Sequence, residues 1–389
     1  MASLNCINGL GDINNVDYLV VGCGFYGSVI AERIATCLNK RVLIIDVRSH
    51  IGGNSYSYTD SDTGIEVHKY GSHIFHTSNS KVWNYITGFE KFNSYQHKVY
   101  TNYLGKIYSM PINLHTINQF YKKSFSPQKA KELLSKSINI NSDINNLEDK
   151  AISLIGNDLY NAFIKGYTTK QWGKKPSDLP SDIITRLPVR FDYNNRYFSD
   201  LYEGQPLGGY GVLFNKILTH PNILVSLGID YFNIRKLVPK SCKIIYTGPI
   251  DRFFDYQYGV LGWRSSNFEW ETLPVNDFQG TSVMNYSDES VPYTRIHEFK
   301  HYHPERSYLE NSTIICKEFS KISGKDEDPY YPINTLNDKA IMRSYKELCK
   351  NRRDVLFGGR LGNYVYIDMH QAIAMALNDF DSLVKNNEH

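Results

Sequence analysis

Gly22, Gly24 and Gly27 punctuate the run from Asp17 to Asp46, where an apolar strand (DYLVVG) meets a glycine turn and then a helix (SVIAERIATCL). The chemistry that such spacing serves is the holding of a pyrophosphate. Gly22 permits the sharp turn, Gly24 lets the backbone approach the phosphates, and Gly27 lets the helix pack closely on the strand. Tyr26 sits inside the turn, and the helix offers unpaired N–H groups and the positive end of its dipole to an anion. A second apolar strand, RVLIID, ends on Asp46, nineteen residues past Gly27. An acid at that place accepts ribose hydroxyls and repels a 2′-phosphate. Glycine turns alone are common in loops; strand, turn, helix, strand and acid in this order specify a dinucleotide site.

Two more glycine turns, Gly52-Gly53-Asn54 and Gly358-Gly359-Arg360, offer further backbone contacts. A nicotinamide dinucleotide needs only the first turn, so the other two favour the longer FAD. His73 and His76 lie in a loop, GSHIFH, that follows the alternating segment IEVHKY. Their spacing could suit a metal pair, but no third or fourth ligand is evident and no metal is expected.

The elements that position these groups follow from period and punctuation. YQHKVYTNYLGKIYSM alternates, with Leu104-Gly105 as a hairpin tip. Ser126-Pro127 starts a helix, and NLEDKAISLIG and NDLYNAFIKGYTTKQW give two more helical patterns broken at Gly156. The stretch GKKPSDLPSDIITRLP reads as an exposed loop. KIIYTGP is an apolar strand that returns to the nucleotide-binding sheet, and alternating segments follow near 260–272, 281–286 and 294–302. The ending, DVLFGGRLGNYVYIDMHQAIAMALNDF, is a strand, a glycine turn and an amphipathic helix. The fold class is therefore α/β: a discontinuous Rossmann-type FAD-binding domain (1–88, 205–250 and 330–389) interrupted by insertions. These are an α-helical bundle over 113–190, with a mobile loop at about 174–189, and an antiparallel β-sheet from 89–112, 191–204 and 251–329.

With 389 residues and a formal charge of +3, the chain can bury a large core and shows no surface for nucleic acid. Six scattered cysteines form no CxxC pair and read as reduced thiols. No basic leader or long apolar run is present, so a cytoplasmic protein with no membrane partner is expected. Thirty tyrosines are unusual, and rings with hydroxyls suit sugars and bases.

The motifs IGGN, HKYGSHIFHT, GYTTKQWG, RLPVRF, NNRYFSDLYEGQP, PYTRIHE and GGRLGNYVYIDMHQAI closely resemble those of the bacterial-type UDP-galactopyranose mutases, nearly from end to end. The resemblance implies interconversion of UDP-galactopyranose and UDP-galactofuranose by reduced FAD. In that family flavin N5 attacks the anomeric carbon, the sugar opens through an iminium and recloses, and no net redox occurs.

It also implies roles residue by residue. Arg186 and Arg295 would bind the substrate pyrophosphate and stabilise departing UDP, with His76 and Tyr366 beside the reacting centre. Phe163, Tyr167 and Trp172 match uridine-side residues, although core packing competes for Phe163. Tyr197, Asn285, Tyr331 and Tyr366 match phosphate and sugar contacts, and His97 lies near the substrate. Gly22, Gly24, Tyr26, Gly27, Asp46, Gly53, Asn54, His73, Ile74, Arg360, Asp368 and Met369 would hold FAD. This chain departs from the family at Ser72, where proline or alanine is common, and at Asp46, where glutamate is. A homodimer and an electron donor such as NADPH or NADH are implied. An amine-oxidase-type FAD oxidoreductase, and a mutase acting on UDP-N-acetylgalactosamine, remain alternatives.

Overall fold

A computed structural model of the chain describes residues 4–11, 13–137, 144–186, 189–324 and 327–387. Five strands form a parallel sheet in the order Val355–Phe357, Lys243–Tyr246, Tyr18–Val21, Val42–Asp46, Ile223–Leu227. Val42–Asp46 is buried at every residue because helices cover both faces, which is why it reads as an unbroken apolar run. One face packs against Phe25–Leu38, Gly209–Leu218 and Met369–Asn387 through Val29, Ile30, Leu213, Phe214 and Ile373. The other packs Leu19, Leu43 and Tyr246 against Tyr231, Ile234 and Phe253. The N-terminal segment adds to the outer edge: Cys6 bridges Val225, and the Ile7 amide donates to the Val225 carbonyl at 2.9 Å.

The second sheet has seven strands, ordered Tyr331–Pro332, Trp263–Leu273, Thr313–Ile322, Arg295–Glu298, Val283–Tyr286, Val99–Tyr103, Lys106–Met110. It is not wholly antiparallel. Val283–Tyr286 runs parallel to Val99–Tyr103, the two being joined through a long intervening chain rather than a hairpin. Tyr331 belongs to this sheet, so the return to the nucleotide-binding region lies after Pro332 rather than at 330. The Val99–Tyr103 and Lys106–Met110 strands close over Leu104 (φ 50°) and Gly105 (φ 76°), the two positive φ angles that a tight hairpin requires.

Helices Leu114–Tyr121, Pro127–Ser137 and Leu147–Leu159 pack on this sheet through Tyr108, Ile117, Leu134, Ala151 and Ile155. Ser126 caps the second, its hydroxyl accepting from the Lys129 amide at 3.3 Å. Gly156 (φ 75°, ψ 167°) breaks the third. A π-helical turn, Tyr160–Lys165, then leads into the helix Gly166–Trp172.

The proline-bounded stretch is not a wholly exposed loop. It folds into the 3-10 turns Pro176–Asp178 and Ser181–Arg186, and Leu179 and Ile184 drop from them into the helical core. Its apolar residues are spaced so that each turn buries one. All six cysteines are free thiols, and among the described residues no helix is long and apolar enough to cross a membrane.

Candidate active site

Gly22 (φ 107°) turns the chain out of Tyr18–Val21, at the carboxyl end of the sheet. A Cβ on Gly27 would lie 2.0 Å from the Gly22 carbonyl, so helix and strand can meet only at glycine. The helix Phe25–Leu38 has no side-chain cap, and its first amides stay open to a ligand. Asp46 ends its strand as expected, and its carboxylate accepts from the Cys23 amide (2.8 Å) and the Arg48 amide (2.9 Å). It thus ties the glycine turn to the following loop, with lone pairs remaining for a ribose. Gly53 and Asn54 lie on the short turn Gly53–Ser55, where a Cβ on Gly53 would come 3.1 Å from the Gly24 Cα. These residues fit a dinucleotide.

The Tyr26 side chain does other work: its hydroxyl donates to Asp379 Oδ2 at 2.7 Å, and its ring fills the space beside Gly358. Arg360 donates to the Tyr330 carbonyl (3.0 Å) and the Ile367 carbonyl (2.5 Å), with its guanidinium over the rings of Tyr331 and Tyr366. Those two rings stack at 5.5 Å. Asp368 immediately precedes the helix Met369–Asn387, and Asp368 and Met369 are both half-buried at its N-terminal end.

Arg295 lies in a row across three strands, opposite Asn285 on one side and Glu318 on the other. Its Nη2 donates to the Tyr167 hydroxyl, and its Nε lies 3.5 Å from Glu318 Oε2. Burial opposes its charge, but Tyr167, Glu318 and Tyr331 around it raise its pKa well above the ordinary arginine value. Burial likewise pushes the Glu318 carboxyl up, yet Arg295 and the hydrogen bond to His297 outweigh it and hold the group at about 2. Asn285 Oδ1 is buried without a hydrogen-bond partner, an acceptor waiting beside a cation. Arg186 ends the turn Ser181–Arg186, and its side chain lies outside the described residues.

Behind Arg295 the polar chain continues. His297 Nε2 lies 2.9 Å from Glu318 Oε2, its Nδ1 meets the Ser72 hydroxyl, and Ser72 meets the Tyr302 hydroxyl. The serine that distinguishes this chain is therefore wired to the arginine through a buried histidine and glutamate.

His76 is on a short strand, Phe75–Thr77, rather than in the loop, and pairs with Glu203 of Tyr202–Gly204. Its Nδ1 lies 2.7 Å from Asp200 Oδ2, Phe198 stacks on its ring at 3.6 Å, and His370 meets it edge-on at 4.8 Å. Burial pushes the Asp200 carboxyl up, but hydrogen bonds from His76 and Ser78 outweigh it and keep the group below its usual range. His73 has other partners: its Nδ1 lies 2.9 Å from the Gly71 carbonyl, and burial takes its pKa down to about 4. Ligand atoms of His76, Asp368 and His370 do lie within 4.8 Å of one another, a grouping the HIFH spacing does not reveal.

His97 is buried, with Nδ1 2.9 Å from the Tyr95 hydroxyl, and Tyr197 and Phe198 flank its ring. Trp172 and Tyr197 pack on the rim of the helical core, and Ile74 lies within it. Phe163 is only 2% exposed and meets Tyr103, Tyr108 and Phe120 edge-on. Core packing describes it.

Sequence reasoning missed Glu318, His297, Lys170 and Asp200. The strand TIICKEFSKI, which carries Glu318, opens on the β-branched run Thr313–Ile315, a signal for the strand but not for the glutamate's partner.

A family profile described as UDP-galactopyranose mutase matches residues 162–366, and one described as an NAD(P)-binding Rossmann-like domain matches residues 20–89. The chain is 42% identical over 384 residues to a probable UDP-galactopyranose mutase of Klebsiella pneumoniae, covering 97% of each. It is 40% identical over 375 residues to a dTDP-fucopyranose mutase of Escherichia coli, covering 95% of this chain and 99% of that one. A crystal structure of reduced UDP-galactopyranose mutase superposes with a TM-score of 0.74 at 14% identity, over 95% of this chain and 94% of the other, a likeness of fold. Sequence motifs, sheet architecture and near full-length identity agree, and the chain belongs to the UDP-galactopyranose mutase family.

Proposed function

We propose that this enzyme interconverts UDP-galactopyranose and UDP-galactofuranose with reduced FAD. The observation that carries the reading is Arg295, a permanent cation whose side chain stays 26% exposed, with the Tyr167 hydroxyl at its tip. Such a group suits an anion that is bound and later departs as UDP. The Klebsiella relative bears the name of this activity.

The glycine turns after Tyr18–Val21 and Val355–Phe357, with Asp46 and the open N-terminus of Phe25–Leu38, would hold the dinucleotide. Reduced flavin, when bound, supplies an electron-rich N5 to the anomeric carbon. The chain's own residues orient and shield. Arg295 and Arg186 would grip the pyrophosphate, Tyr331 and Tyr366 would contact phosphate and sugar, and His76, fixed by Asp200 and Phe198, would order the pocket wall. A reduced nicotinamide as electron donor, a homodimer and a cytoplasmic location complete the proposal.

A second reading, the same chemistry on dTDP-fucopyranose, is favoured by the E. coli relative. The test is to incubate chemically reduced protein with UDP-galactofuranose and, separately, dTDP-fucofuranose, and to follow the pyranose forms by chromatography. UDP-galactopyranose should appear, and oxidised protein should be inactive. Conversion of the dTDP sugar alone would transfer the assignment to the second reading. Arg295→Ala should nearly abolish turnover while the protein stays yellow; full activity would overturn the pyrophosphate role.

A further inference from the structure

The Lys170 ammonium sits in a cage of main-chain carbonyls. Its Nζ donates to those of Tyr286 (2.7 Å), Asp288 (2.8 Å), Val291 (3.0 Å) and Tyr293 (3.0 Å). An ammonium has three protons, so at least one is shared between two carbonyls. Tyr286 ends the strand Val283–Tyr286, and the other three lie in the turn that joins it to Arg295–Glu298, the two strands that present Asn285 and Arg295.

Lys170 stands on the short helix Gly166–Trp172, three residues after Tyr167, whose hydroxyl meets Arg295. The same helix touches the same turn at a second point: a Cβ on Gly166 would lie 2.2 Å from the Ser287 carbonyl. Its far end is tied to the sheet, where the Gln171 carbonyl accepts from Arg264 Nε (3.0 Å) and the Ser320 hydroxyl (2.5 Å). Tyr167 and Arg295 thus come from different regions of the fold and meet across this junction. Surface lysines are normally solvated and contribute little to geometry. Lys170 is half-buried, and its four acceptors converge from one turn and the strand end that enters it.

We propose that Lys170 is a positioning residue for anion binding: by closing the turn between Asn285 and Arg295 onto the Tyr167 helix, it sets the Arg295–Tyr167 pair that receives the pyrophosphate. The inference rests on the reading of Arg295 as the pyrophosphate ligand. Arginine cannot replace the lysine, since a planar fork does not fit acceptors that converge on a point. Burial brings the Lys170 pKa down to about 8, so the cage holds a cation at neutral pH.

The probe is UDP, whose binding to the purified flavoprotein is measured by calorimetry. Lys170→Met, which keeps the stem and removes the charge, should weaken UDP by about tenfold or more and raise KM for the nucleotide sugar in parallel, with a smaller change in kcat. Flavin content and circular dichroism should match the parent. Lys170→Ala guards against a folding failure: ethylammonium should enter the vacated cage and restore UDP affinity in a saturable way. Undiminished UDP affinity in Lys170→Met would overturn the proposal, as would a Lys170→Ala protein whose affinity loss ethylammonium leaves untouched. Failure of the parent protein itself to bind UDP would instead overturn the reading of Arg295.

Discussion

Glu318 stands opposite Arg295 on the neighbouring strand, and the two charges meet at 3.5 Å, the carboxylate buried and the guanidinium half-buried. The carboxyl is held at about 2 and the guanidinium is permanently charged, so the pair is ionised at any working pH. Removing the carboxylate leaves a half-buried cation without its counter-charge. Glu318→Gln should lower the stability of the ligand-free protein by about 1–3 kcal/mol in urea unfolding, less than for a fully buried pair because water reaches the guanidinium. An anionic ligand replaces the lost charge, so UDP should raise the melting temperature of the variant more than that of the parent. Equal UDP shifts in both proteins would show that the two charges do not compete.

Phe163 tests where the substrate region ends and the core begins. Its ring lies among Tyr103, Tyr108 and Phe120. Phe163→Ala should therefore cost about 3–5 kcal/mol of stability with UDP affinity unchanged in the folded fraction. A fall in UDP affinity with stability intact would identify the ring as a uracil platform instead.

Gly358 and Tyr26 fit together without slack. A Cβ on Gly358 would fall 1.9 Å from Tyr26 Cζ, so Gly358→Ala must force the C-terminal turn away from the first helix. The purified variant should have lost its flavin absorbance. Tyr26→Phe removes only the hydroxyl that donates to Asp379, and should stay yellow at a cost of about 1 kcal/mol.

Acid should loosen the fold. Burial, with Arg295 and His297 nearby, takes His97 down to about 3, and burial takes His73 to about 4, against 6.5 for an ordinary histidine. Between those values the unfolded chain binds more protons than the native one. Stability is therefore full above pH 6.5 and falls as pH drops through that window. Glu318 adds to the loss below 4.5. Urea midpoints measured from pH 7 to pH 5 should decline, and His97→Gln should flatten the decline; a pH-independent midpoint would contradict the buried neutral state.

The dinucleotide turn was legible because its parts are neighbours in sequence: Gly22, Gly24 and Gly27 act within one turn, and Asp46 ends the next strand. What could not be read joins residues far apart. Ser72 and His297 are separated by 225 positions and His76 and Asp200 by 124, with no local pattern linking either pair. Phe163 shows a third kind of difficulty. Four-residue spacing from Tyr167 puts both on one face of an α-helix, but the π-helical turn Tyr160–Lys165 changes the phase. Phe163 then faces the core while Tyr167 meets Arg295.

The nucleotide-binding sheet has a temporal implication. Its central strand, Tyr18–Val21, is made well before one neighbour, Lys243–Tyr246, which follows more than two hundred residues later, and the Tyr26 hydroxyl waits 353 positions for Asp379. During synthesis the N-terminal βαβ unit must persist with an open sheet edge, while the inserted helices and the first hairpin of the other sheet emerge ahead of its partner. Until Lys243–Tyr246 emerges, the strand that leads into the glycine turn lacks one of its two neighbours, and the dinucleotide turn stands on half a sheet.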